Sequence, residues 1–362
     1  MLGLLGSKLK RTRSLVLVSL SVTLFLALSF PALVLAQSGG PPSPLDPASP
    51  TSAAIADLHN IVLIIAVVVF VVVEGLMLIA AFRFRRRPQD TSEPLQIHGN
   101  TRLEIAWTVA PALIVVALFV LTVRAQQRID ATAFSDQPGV PITVEVLGHQ
   151  WWWEFRYPDL GVVTAGNLVI PAGRVINLEI TSAPRNKGRD QGVVHSFWVP
   201  ELGGKTDAIP GRVNRSWMKA SGPGEYFGQC AELCGVSHAN MRLVVTALSE
   251  DEFAAWARNQ AQAAIAPVDA VAQMGQQTFL SAGCAGCHSI QGVSSAPDQI
   301  GPNLTHVADR PYIAGGILAN TAHNLTRWLE NPPGVKPGSL MPDLNLTPDQ
   351  IDSLVAYLQT LK

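Results

Sequence analysis

Apolar and polar positions divide this chain into regions of different character. From Leu15 to Ala36 apolar residues run almost unbroken behind Lys8, Lys10, Arg11 and Arg13. That order predicts a secretory signal over residues 1–36, with small residues before a cut after Ala36. An uncleaved anchor is the alternative, and either one exports the remainder of the chain. Residues 37–57 begin rich in Ser, Pro and Gly and read as a flexible N-terminal segment. Leu58 to Phe82 contains the continuous run Ile61 to Val73, long enough to cross a bilayer, which takes about 20 apolar residues. Arg83, Arg85, Arg86 and Arg87 end it and belong in the cytoplasm by the positive-inside rule. A second apolar run spans Ile105 to Val123, with Arg124 and Arg128 beyond. Residues 58–124 therefore predict a transmembrane helical hairpin that leaves the rest of the chain outside. Two buried core helices of a soluble protein fit so long a Val/Ile run poorly.

Beyond residue 125 the period shortens to two. Ile142 to Gly148 alternates, and Asn167 to Ile170, Val175 to Ile180 and Arg242 to Leu248 are short β-type runs separated by Gly/Pro turns. Closely spaced strands of this kind predict a sandwich or small barrel over 125–248. Residues 249–269 read as a short helix followed by a linker, Ala264 to Val268. Helical periodicity returns in 270–362, with a leading helix at Gln273 to Leu280 and a closing one at Pro348 to Leu361 packed across it.

Composition agrees with the membrane reading: of 362 residues, 48% are hydrophobic and 15% charged. A net charge of −1 gives no basic footprint for nucleic acid. The four cysteines fall in two pairs, Cys230/Cys234 and Cys284/Cys287, which is the arithmetic of cofactor sites rather than of a disulfide framework.

The first pair sits in the stretch Gln229 to Met241, which also holds Glu232, His238 and Met241, and His195 lies upstream. Thiolate, imidazole and thioether together are the ligand set of a copper electron-transfer centre. A Cys230–Cys234 disulfide leaves the histidines and the methionine without a role, and a zinc Cys2His2 site gains nothing from a thioether. His195, Lys205 to Arg212 and Gly228 to Met241 closely resemble subunit II of cytochrome c oxidase. The resemblance implies a cupredoxin-like Greek-key barrel and a dinuclear CuA centre. Its ligands would be His195, Cys230, Cys234, His238, Met241 and the backbone carbonyl of Glu232, with the ligand segment between the last two strands. It also implies a Mg²⁺ reached by the Glu232 side chain at the subunit I boundary, for which a plain surface carboxylate is the alternative. Trp151, in the aromatic run Trp151 to Trp153, takes the family's place for electron input over the copper, while core packing is the reading for Trp152 and Trp153. In the pattern Glu104-x-x-Trp107-Thr108-x-x-Pro111, Glu104 resembles a glutamate at the mouth of a proton channel. An interfacial carboxylate favoured by the helix dipole is its structural alternative. Glu74, inside the first span, is costly there as a charge and would face a protein partner or a bound polar group, while a protonated or helix-packing residue with no catalytic task is its structural alternative.

The second pair stands in Cys284-x-x-Cys287-His288, the c-type haem attachment signature. Gly301 to Leu304 comes next, then Lys336 to Pro342 with the thioether of Met341. The whole of 270–362 resembles a small class I cytochrome c, which makes His288 and Met341 the axial ligands, a pairing that raises the potential. Met274 reads as core, and His306 and His323 as non-ligands.

The fold class expected is thus a multidomain membrane protein: a two-helix hairpin, an all-β cupredoxin-like barrel and an all-α cytochrome c domain. The resemblance implies the electron-input subunit of a haem-copper terminal oxidase in a bacterial inner membrane, with both soluble domains on the periplasmic or extracellular side. Covalent haem c would accept electrons from an external reductant, such as cytochrome c or a quinol:cytochrome c reductase, and CuA would pass them on. The partners implied are subunit I, subunit III and membrane lipid. Oxygen reduction and proton pumping would belong to subunit I, since neither apolar run here holds a histidine for a haem. A quinol oxidase subunit would lack the copper ligands, a copper chaperone the haem domain, and a nitrous oxide reductase would add a propeller. A CuA-type nitric oxide reductase subunit is the alternative that remains.

Overall fold

Two long helices open the described part of the chain: α1 (Pro50–Arg83) and α2 (Thr101–Ala133). The structure is a computed structural model that describes residues 42–85, 93, 96, 99–133, 142–183, 192–296 and 300–362. The expected signal segment, 1–36, lies outside the described residues, as do Arg86 and Arg87.

Residues 50–57 depart from the flexible segment expected there, for they form the first turns of α1. Ser49 caps them by accepting from Ser52 N in a capping box, and Pro50 opens the helix where its missing N–H costs nothing. The same hydroxyls tie the helix to the β domain: Ser49 Oγ donates to Leu202 O at 2.7 Å and Ser52 Oγ to Glu201 O at 2.6 Å. Capping and docking together order the segment. The helix includes His59, which also falls inside the expected span Leu58 to Phe82, so the absence of histidine holds only for the continuous run Ile61 to Val73 and for the second run. Helix α2 continues past Val123 to Ala133, because Ala125, Gln126, Gln127 and Arg128 favour a helix and Gln126 Nε2 donates to Asp130 Oδ1 at 3.0 Å. No residue of the apolar windows of either helix is buried within the chain. Those surfaces, with Glu74 among them, need lipid or neighbouring helices to cover them.

The β domain is two five-stranded sheets packed face to face. The first holds β1 (Ile142–His149), β2 (Trp152–Tyr157), β3 (Val162–Ala165), β5 (Ile176–Ser182) and β8 (Asn214–Met218) in the order β3-β2-β1-β5-β8. The second holds β4 (Asn167–Pro171), β6 (His195–Trp198), β7 (Thr206–Ala208), β9 (Gly224–Cys230) and β10 (Arg242–Leu248) in the order β4-β10-β9-β6-β7. Each sheet contains one parallel pair, β1 with β5 inside the first and β4 with β10 at the edge of the second. Alternation sets the core: Val144 and Val146 point inward on β1, meeting Phe155, Leu168, Ile170, Ile176, Leu178 and Ile180.

Helix α3 (Glu250–Gln260) starts at a Ser249/Glu252 capping box and packs on the barrel through Phe253 and through Trp256, whose ring lies 5.4 Å from that of Tyr157. The haem domain comes after it with α4 (Ala270–Ser281), the short pair β11 (Tyr312–Ile313) and β12 (Leu318–Ala319), then α5 (Ala322–Glu330), α6 (Pro332–Val335) and α7 (Pro348–Leu358). Helices α4 and α7 cross at Gly275, where a Cβ would lie 1.9 Å from Ser353 O. Met274, expected in the core, is instead 55% exposed. One residue before the buried crossing point, the helical turn of about 100° aims it at solvent. Helix α7 stops at Leu358, before the expected Leu361, and Leu361 is buried as the anchor of the closing turn.

Candidate copper and haem sites

Strand pairing assembles the first site. The register Phe197↔Cys230 between β6 and β9 brings His195 beside the end of β9, and the loop from Ala231 to Met241 returns through a short 3-10 turn at His238–Asn240. Two backbone bonds fix the loop ends, Cys230 N to Met241 O and Ala231 N to Ser196 O, each 2.9 Å. The donors then converge. Cys230 Sγ lies 3.8 Å from Cys234 Sγ, 3.8 Å from His195 Nδ1 and 3.3 Å from the Glu232 carbonyl. Cys234 Sγ lies 3.7 Å from His238 Nδ1 and 3.9 Å from Met241 Sδ. Atoms held on bonds of about 2.3 Å at a tetrahedral angle stand about 3.8 Å apart, so these gaps fit metal ions between them. Both thiols are free. Hydrogen bonding with Cys234 and His195 draws the Cys230 thiol down to about 3 despite burial, and the same hydrogen bond, burial and the Cys230 charge push Cys234 up. The thiolate that a metal requires is thus already favoured. Glu232 itself is exposed.

Glycine makes room for the ring of His195: a Cβ on Gly148 would stand 2.8 Å from its Cδ2. Beside it, Trp153 is fully buried, but Trp152 is not core as expected; it stacks on His149 at 4.1 Å, half-buried at the barrel edge. His149 Nε2 also meets Glu154 Oε2 at 3.1 Å, and Arg156 closes on the other carboxylate oxygen. Burial pushes the Glu154 pKa up, but His149 and Arg156 outweigh it and hold the carboxyl below its usual range. A carboxyl with a lowered folded pKa binds fewer protons than in the unfolded chain, so its stabilisation is complete above about pH 4 and lost as pH falls further. The thermal midpoint of the copper domain should therefore drop as pH falls below about 4. Calorimetry of Glu154→Gln should show a lower midpoint at neutral pH and a flatter acid limb.

In the haem domain, Cys284, Cys287, His288 and Met341 line one largely apolar pocket with Phe279, Leu325 and Leu354. His288 Nδ1 donates to Pro302 O at 2.8 Å, which fixes the tautomer and leaves Nε2 free for a metal. Burial lowers its pKa and keeps the ring neutral. A Cβ on Gly301 would lie 2.5 Å from His288 Cε1, so only glycine fits under the ring. Arg310 is buried in the same wall, its pKa lowered by burial to about 10, and its Nε has no partner among the described residues. A cation left short of one acceptor fits a cofactor that carries carboxylates. The residues present thus fit a covalent haem. His306 is occupied by Gln262 O at 3.0 Å and His323 is exposed on α5; neither lines the pocket.

The two sites share a wall. Trp151 lines the haem-domain pocket, and its Nε1 donates to Cys234 O at 3.0 Å, a carbonyl that Gln150 Nε2 also reaches at 2.7 Å. Lys336, unremarked in the sequence beyond its place in the methionine loop, is buried here with Nζ 2.5 Å from Trp151 O. Burial pushes its amine down to about 7, with Cys234 pulling the other way. Nothing in the sequence pattern around Lys336 announces a partner 185 positions away. Glu104, by contrast, is remote from both sites in the first turn of α2, where Oε1 accepts from Asn100 N at 3.2 Å.

A membrane-anchored cupredoxin-like domain with a sulfur-rich metal site, joined to a c-type haem domain, defines a respiratory electron-transfer subunit. Three families match successive parts of the chain: the transmembrane domain of cytochrome c oxidase subunit II over residues 45–124, its periplasmic domain over 142–248, and cytochrome c over 272–362. The cytochrome c oxidase subunit 2 of Alkalihalophilus pseudofirmus is 37% identical over 347 residues, covering 93% of this chain and 96% of that protein. That of Bacillus subtilis is 31% identical over 355 residues, covering 94% and 97%. The solved periplasmic domain of subunit II from Bradyrhizobium japonicum is 34% identical, covering 34% of this chain and 95% of that one, with a TM-score of 0.31. The chain belongs to the cytochrome c oxidase subunit II family, in the form that carries a C-terminal cytochrome c domain. It is a membrane-bound subunit of an oxidase with periplasmic domains, and membership implies CuA copper, haem c and association with subunit I.

Proposed function

We propose that this chain takes electrons from an external reductant at haem c, hands them to CuA and delivers them to subunit I, where oxygen is reduced to water and protons are pumped. One observation carries the reading: Trp151 bonds to Cys234 and also walls the pocket bounded by His288 and Met341. When bound, the haem and the copper pair supply one-electron carriers. The chain's residues do the rest. Cys284 and Cys287 would attach the haem, and the His288 imidazole and Met341 thioether would hold its iron. His195 on β6, Cys230 at the end of β9, and Cys234, His238, Met241 and the Glu232 carbonyl on a loop pinned at both ends would hold the copper, which would limit rearrangement when the charge changes. Trp151 offers a π-system between the two sites. Tethering keeps the donor domain at high effective concentration, so electron delivery needs no second diffusional encounter.

The same reading assigns proton uptake to Glu104, whose exposed carboxylate opens α2. It assigns a Mg²⁺ contact at subunit I to the exposed side chain of Glu232, since carboxylates suit hard cations. The location is a bacterial inner membrane, with subunit III and lipid against the bare apolar helices and a cytochrome c or a quinol:cytochrome c reductase as donor. Spectra of the full chain in detergent test the core of this. A c-haem absorption together with a mixed-valence dicopper resonance is expected. Met341→Ala should abolish the methionine–iron band and lower the haem potential while leaving the copper resonance unchanged. A chain that retains iron but binds zinc or no metal at the second site would overturn the reading.

A further inference from the structure

A buried lysine bridges the haem domain and the copper domain. Lys336 comes directly after α6 on the loop that leads to Met341 and is 4% exposed. Its Nζ donates across the interface to Trp151 O at 2.5 Å and within its own domain to Ala314 O at 2.9 Å. The Trp151 indole donates in turn to Cys234 O. Trp151 therefore links the methionine loop to a residue of the copper site, through its backbone carbonyl on one side and its indole N–H on the other. Three glycines let the backbones come this close. Facing the copper domain, a Cβ on Gly315 would lie 2.7 Å from Trp151 O, one on Gly316 2.9 Å from Arg242 Cβ, and one on Gly338 2.3 Å from Val236 Cγ2. All three also hold positive φ, +74°, +86° and +82°, a region other residues enter at a cost. Around the lysine, Arg242 N donates to Gly315 O at 2.8 Å, Ser237 Oγ to Pro337 O at 2.5 Å, and the rings of Phe227 and Tyr312 meet edge to face at 5.8 Å.

Burying an ammonium group is unfavourable unless its donors are met. The haem domain alone supplies one carbonyl for Lys336; the Trp151 carbonyl comes only with docking. We propose that Lys336 is a positioning residue that locks the haem domain over Trp151. Transfer between the domains then runs in one fixed geometry, and the Trp151 face is closed to a separate protein donor. The proposal rests on the electron-transfer reading of the chain and adds the device that holds the two domains in register.

The test uses the full chain with both centres loaded. The haem is photoreduced and copper reduction is followed at several solvent viscosities. In the unsubstituted chain the rate should not depend on viscosity. Lys336→Met should keep both spectra, slow transfer by about tenfold or more through loss of a charged hydrogen bond, and make the rate fall as viscosity rises, because the domain must find its seat again. Lys336→Gln, which keeps a donor, should lie between. Phe227→Asp loosens the interface from the copper side and should move rate and viscosity dependence the same way. If only Lys336→Met loses haem, the Lys336→Gln rate decides. A wild-type, viscosity-independent rate in the variants overturns the proposal. So does loss of the haem spectrum in both lysine variants, since the residue would then serve the haem domain's own fold. A missing copper resonance in the unsubstituted chain would instead overturn the electron-transfer reading.

Discussion

Replacing Cys230 with serine should lower copper binding by about 100-fold or more, beyond the loss typical of an outer-shell change, and leave the c-haem absorption intact. Cys230 stands at the centre of the donor set, within 4 Å of His195, Cys234 and the Glu232 carbonyl. A serine hydroxyl is a harder ligand, protonated at neutral pH, and cannot share a soft metal pair between two sites. The fold should survive the change. The backbone of residue 230 is held by Met241 O and its side chain joins a core that includes Phe197, Leu243 and Val245. The haem pocket has a core of its own, from Phe279 to Leu361, so the iron site has no reason to respond. Elemental analysis, the dicopper resonance and the haem absorption, measured on one sample, check all three parts. Loss of both spectra together would mean that the copper loop also stabilises the haem domain.

The parts of this molecule that are legible in the sequence are those whose chemistry is local. Cys230, Cys234, His238 and Met241 lie within one short stretch, as do Cys284, Cys287 and His288, so residue type and spacing reveal both sites without any fold. His195 stands out only as a candidate, because its approach depends on the pairing of β6 with β9. Alternation on β1, β5 and β10 reveals the barrel, but not the small strands β7 and β8, which carry too few residues for a period to show. The start of α1 is hidden although its signal is present: Ser49 and Ser52 form a capping box, with Pro50 opening the helix, that composition alone makes look like a loop. Lys336 is invisible for a different reason. Its partners are backbone carbonyls of Trp151 and Ala314, and a carbonyl leaves no mark in the residue pattern. The glycines that admit the contact look like ordinary turn residues until the opposing domain is in place.

Gly275→Ala should destabilise the haem domain by about 3 kcal/mol, the upper end of what overpacking costs, although alanine is the better helix former by nearly 1 kcal/mol. The reason is the crossing of α4 and α7. The added methyl would stand 1.9 Å from Ser353 O and 2.7 Å from Tyr357 Cβ, where the nearest atom is backbone that no rotamer change can move aside. The helices must separate, and the ring contact between Phe279 and Tyr357, 6.1 Å between centroids, opens with them. Phe279 lines the haem pocket and lies a single turn before Cys284, so the displacement reaches the cofactor as well as the helix packing. Urea unfolding followed by the methionine–iron band should show the midpoint fall, while tryptophan signals from the barrel keep theirs. Met274→Ala, one position earlier and 55% exposed, is the matched control and should change stability by less than about 0.5 kcal/mol. Equal effects at 274 and 275 would show that α4 meets α7 through a different face.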